Sequence, residues 1–131
     1  MPGSDMPVAM AVEVPASTTL IHLSSAAPPL RPEGGFGDTH AQTLGALRAV
    51  EGMLHRLGLG LGEVIRLQAF LVGDPTMEGR MDLAGFDAAY RELFGTRRQP
   101  NLPARTVVQV MGLASPGQMV EIEATAAGNR N

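Results

Sequence analysis

Apolar residues recur every three or four positions in two stretches of the chain. In the first, Leu44, Leu47, Val50, Leu54 and Leu57 form the stripe of an amphipathic helix. Asp38 and Thr39 stand before it as N-cap residues, and Gly58 and Gly60 stop it. In the second, Leu83, Phe86, Ala89 or Tyr90, Leu93 and Phe94 keep the same spacing, ended by Gly95 with Arg97 and Arg98 beyond.

Four other segments are short and β-branched or alternate apolar with polar positions, and these predict strands: Thr18–Ser25, Glu63–Val72, Thr106–Met111 and Met119–Ala126. The last two are joined by LASPGQ, whose Ser-Pro-Gly is turn chemistry, so they are expected to fold as an antiparallel hairpin. Residues 1–17 scatter Pro, Gly, Ser and Asp among Met and Val, predicting an irregular lead-in or edge strand. The order strand, helix, strand, helix, strand, strand predicts an α+β domain over residues 18–127, with a short tail at 128–131. It would be a mixed sheet with both helices on one face. Arg66, Gln68, Gln109, Glu121 and Glu123 mark the other face as polar, a surface suited to water or to a partner copy.

Composition narrows the chemistry more than the fold. At 131 residues the chain is the size of one domain. With no cysteine, disulfides, thiolate nucleophiles and Cys-ligated metals are excluded. His22, His40 and His55 are dispersed and show no metal-binding spacing, so no metal site is expected. The formal charge is −3, with no basic run and only five aromatic residues, which argues against a nucleic-acid surface. The N-terminal residues lack a basic segment followed by a continuous apolar one, and no apolar run approaches the ~18 residues of a membrane span. A cytoplasmic protein without membrane or nucleic-acid partners is expected. GLGLG at 58–62 follows a helix instead of preceding one, the reverse of a phosphate cradle, and the serines at 24 and 25 lack a nucleophile-elbow frame.

Arg105 is the residue that composition leaves unexplained. It opens the apolar run TVVQV, where a guanidinium is costly unless an anion meets it. The expected hairpin would bring it near Glu121, so the two could share a pocket, form a structural ion pair at a strand end, or both face solvent.

Gly37-Asp38, Ala41-Gln42-Thr43, Glu63-Val64-Ile65, Phe70-Leu71-Val72, the series Phe86, Tyr90, Phe94, then Pro103-Ala104-Arg105-Thr106 and Val120-Glu121-Ile122-Glu123-Ala124 occur in one order. In that order they resemble the YjgF/RidA family over residues 18–127. The resemblance implies a chorismate-mutase-like fold assembled as a homotrimer, with clefts between subunits and no cofactor. It also implies an enamine/imine deaminase that hydrolyses 2-imino acids to 2-keto acids and ammonia. By it, Arg105 grips the substrate carboxylate and Glu121 is catalytic, orienting or activating the attacking water. Ser25, Asp87 and Val107 fall at the family's pocket positions, where Ser-Gly-Gln, asparagine, and cysteine or threonine are frequent; Met6-Pro7-Val8 stands where deaminating members carry a tyrosine. A non-catalytic trimer that binds small carboxylates, or a deaminase or hydrolase acting on another substrate, is also compatible with these motifs.

Overall fold

The computed structural model describes residues 6–128. The first five residues of the expected lead-in and the last three of the tail lie outside the described residues. The elements are β1 (Thr19–His22), α1 (Thr39–Arg56), β2 (Val64–Val72), α2 (Leu83–Leu93), β3 (Ala104–Val110) and β4 (Val120–Gly128). One sheet runs β1-β4-β2-β3. The pair β2 and β3 is parallel, while β4 is antiparallel to both β1 and β2. β1, β2 and β3 therefore point the same way, linked by crossover helices, and β4 is threaded back between β1 and β2.

α1 forms where its stripe and cap predict. The Asp38 carboxylate accepts from the Ala41 amide at 2.8 Å, a cap worth about 1 kcal/mol. Leu47, Val50 and Leu54 are fully buried against the sheet, each contributing about 1.5–3 kcal/mol. Gly58 takes the left-handed φ of 77° that closes the helix, with its amide and that of Leu59 bonded back to His55 and Leu54. α2 buries Phe86, Ala89, Tyr90 and Leu93. On β2, Val64, Leu67, Ala69 and Leu71 face the helices; on β4, Val120, Ile122, Ala124 and Ala126 do so. No helix among the described residues is long and apolar enough to cross a membrane.

Several expectations are corrected. β3 and β4 do not form a hairpin, because β2 lies between them. The segment 111–119 does turn at Ser115–Gln118, but it is long enough to step over the end of β2, where the Val72 amide donates to the Met119 carbonyl. Local turn chemistry reverses the chain without choosing its neighbour, and the inner position buries one face of β4 under the helices. β3 begins at Ala104, so Arg105 lies inside the strand. Gln109 pairs with Leu71 and so belongs to the helix side, where it accepts from the Met81 amide and donates to the Gly79 carbonyl. Of the two forms expected for the lead-in, residues 6–18 take the irregular one and contain no strand; Met6 and Val8 pack on the core, and the Ala9 amide bonds the Pro103 carbonyl.

Candidate active site

Strand alternation decides where Arg105 goes. It is the partner of Leu67, a residue buried under the helices, so its side chain turns toward α2. There Phe86, Asp87 and Tyr90 share the face that receives it, because residues three and four apart on a helix are neighbours. The guanidinium carbon lies 4.8 Å from the centre of the Tyr90 ring and 5.4 Å from that of Phe86. Such cation–π contacts stabilise by about 0.5–2 kcal/mol. Tyr90 in turn stacks on Phe94 at 4.8 Å between centroids.

An anion does meet Arg105, and it is the chain's own. Asp87 Oδ1 lies 2.8 Å from Arg105 Nη1, the two side chains being only 19% and 11% exposed. The contact is an ion pair without hydrogen-bond geometry, and among the described residues neither atom has a hydrogen-bond partner. The other donors of the guanidinium make no hydrogen bond among the described residues. The Tyr90 hydroxyl donates to the Pro7 carbonyl at 2.7 Å, which seats the Met6–Val8 segment beside this group. Its pKa is pushed up to about 12, chiefly by burial; Asp87 adds to the rise and Arg105 opposes it.

Glu121 is on the other side of the sheet. It pairs with Phe70 and alternates with Val120 and Ile122, which are buried beneath the helices. Ser25 Oγ donates to one carboxylate oxygen at 2.9 Å, and Gln118 Nε2 donates to the other at 3.2 Å. Two strand spacings and three residues along the strand put its Cα about 14 Å from that of Arg105. The shared pocket expected within one chain is thus corrected, since the two side chains leave opposite faces. Ser25 joins Glu121, Asp87 joins Arg105, and Val107, two residues beyond Arg105 on the same strand, faces the helices and packs against the core.

Two residues outside the expected site set support Glu121, Gln118 directly and Gln42 through the turn that precedes β4. Fully buried Gln42 of α1 accepts from the Met119 amide at 2.6 Å and donates to the Gly37 and Gly117 carbonyls, fastening the approach to β4. Gln118 donates to the Val120 carbonyl as well as to Glu121. For Gln42 a signal existed: it sits four residues before Ala46, at the head of the buried row continued by Val50 and Leu54. Gln118 lies in a turn, where a glutamine carries no such signal.

The open face also carries a hollow of about 310 Å³ lined by His22, Arg66, Gln68, Glu123 and Thr125, among others, but not by Arg105 or Glu121. His22 Nδ1 is 3.0 Å from Thr125 Oγ1, and Arg66 donates to Thr106 Oγ1 at 3.1 Å. No cluster of three or more His, Asp or Glu able to hold a metal occurs among the described residues.

Fold and site define the class: an α+β protein with two helices on one face of a four-stranded sheet, and an arginine seated over aromatic rings beside α2. The chain belongs to the family described as endoribonuclease L-PSP, whose model matches residues 10–128. Solved structures of YjgF and Rid proteins agree. YyfB of Yersinia pestis, of the conserved Rid family, is 26% identical with a TM-score of 0.74, covering 95% of this chain and 90% of that one. The YjgF gene product of E. coli is 26% identical at 0.67, covering 94% and 93%. Rv2704 of Mycobacterium tuberculosis, from the YjgF/YER057c/UK114 family, is 29% identical at 0.63, covering 82% and 77%. No curated protein matches the chain significantly.

Proposed function

We propose that the chain is a RidA-type enamine/imine deaminase, hydrolysing 2-imino acids to 2-keto acids and ammonia. We further propose that it acts as a homotrimer in which Arg105 of one copy meets Glu121 of another. The observation that carries this reading is the presented guanidinium. It is held over Tyr90 and Phe86 and retains unspent donors, within the PART motif on which the family resemblance rests. Because Glu121 leaves the opposite face, the site is incomplete in a single chain.

The reaction asks little beyond positioning and one acid/base group, since the C=N bond is already electrophilic. Water oxygen attacks C2, the π pair moves to nitrogen, and nitrogen takes a proton. The resulting amino alcohol collapses to the carbonyl, and both water protons leave on ammonia. Arg105 orients the acyl end of the substrate. Glu121 receives two hydrogen bonds, from Ser25 and Gln118, and keeps lone pairs to take a proton from water and return it to nitrogen.

The test is ammonia release from freshly generated 2-imino acids of varied side chain. Wild-type protein is expected to accelerate it, with Arg105→Ala at background. Wild-type rates equal to those of Arg105→Ala would overturn the proposal. Carboxylate-dependent thermal stabilisation without turnover would mark a binding protein instead.

A further inference from the structure

Resting on that reading of Arg105, we infer that Asp87 sets the charge preference of the clamp: among 2-imino compounds it favours an uncharged acyl group, a carboxamide or ester, over the free carboxylate. Three features lead there. The Asp87 carboxylate already neutralises the guanidinium at 2.8 Å, in a pair with little solvent to screen it. A second carboxylate on the same fork would bring two negative charges around one positive charge. A carbonyl oxygen would instead use the unspent N–H donors without that repulsion. Stacking on Tyr90 and Phe86 keeps the guanidinium from swinging off Asp87 to follow an incoming anion. Asparagine at this position would keep the shape and an acceptor oxygen while returning a full positive charge to the site.

The experiment uses unreactive keto analogues, so it does not depend on turnover. Pyruvate and pyruvamide are titrated by calorimetry into the full chain, into Asp87→Asn, and into Arg105→Ala. Wild-type protein is expected to bind pyruvamide about tenfold more tightly than pyruvate, Asp87→Asn to reverse the order, and Arg105→Ala to bind neither. If wild-type protein binds pyruvate as tightly as pyruvamide, or Asp87→Asn leaves their ratio unchanged, the inference is overturned while the clamp stands. If Arg105→Ala binds both as wild-type does, or wild-type and folded Asp87→Asn bind neither, the clamp falls and the inference with it. Should Asp87→Asn fail to fold, the wild-type ratio alone decides.

Discussion

Arg105 and Glu121 leave opposite faces of one sheet, and this makes a strong prediction about mixed assemblies. The perturbation is a pair of single variants, Arg105→Ala and Glu121→Gln, each expected to be inactive alone. About 14 Å of sheet separates the two Cα atoms within a chain, whereas water bound to a carboxylate reaches only about 3 Å, so no substrate can bridge the two groups inside one copy. On the proposed function, each site then draws its arginine and its glutamate from different copies. If the variants are co-refolded at equal amounts and assort at random, an interface receives an intact Arg105 with probability one half and an intact Glu121 with probability one half. Activity should therefore return to about a quarter of the wild-type value. The assay is ammonia release by the co-refolded sample, with native mass spectrometry to verify that both variants share particles and that the particle is a trimer. Were both residues to act within one copy, every chain would lack one of them and mixing could restore nothing. Verified mixed trimers that stay at the level of the single variants would refute the shared site.

Two further predictions concern the scaffold. Tyr90 is the single tyrosine and tryptophan is absent, so phenolate absorbance reports this group alone. It should ionise near pH 12 in the folded protein and near 10 in urea. The folded state then holds a proton that the unfolded state has lost. Its contribution to stability is thus full below pH 10 and falls away as pH rises from 10 to 12; Tyr90→Phe should remove this component from the urea midpoint. Ionisation of folded protein near pH 10 would contradict the burial of the hydroxyl against Pro7. Gly73 ends β2 where the backbone of Gly79 crosses it, and an added Cβ would collide with the Gly79 carbonyl. Gly73→Ala should therefore lose about 1–3 kcal/mol in urea denaturation, and an unchanged midpoint would show that this crossing is loose.

Along the chain, the sequence by itself determined what depends on near neighbours. The stripe from Leu44 to Leu54, the Asp38 cap and the left-handed Gly58 are settled within a few residues, and α1 forms accordingly. The alternation in Val120–Ala124 assigned Glu121 and Glu123 to the open face correctly, because a strand's two faces are fixed by its own pleat. The motifs of Pro103–Thr106 and Val120–Ala124 sufficed for the family. Only the tertiary structure decided which strands meet. The Ser-Pro-Gly turn reverses the chain whether β4 settles beside β3 or beyond β2, and burial against α1 and α2 makes that choice over long sequence separations. The same pairing sends Arg105 to α2 and Glu121 to the other face, a separation that no local pattern encodes. It also brings Asp87 to Arg105. The anion that the guanidinium needed is a side chain eighteen residues earlier in the sequence, made its neighbour by the packing of a helix on a strand.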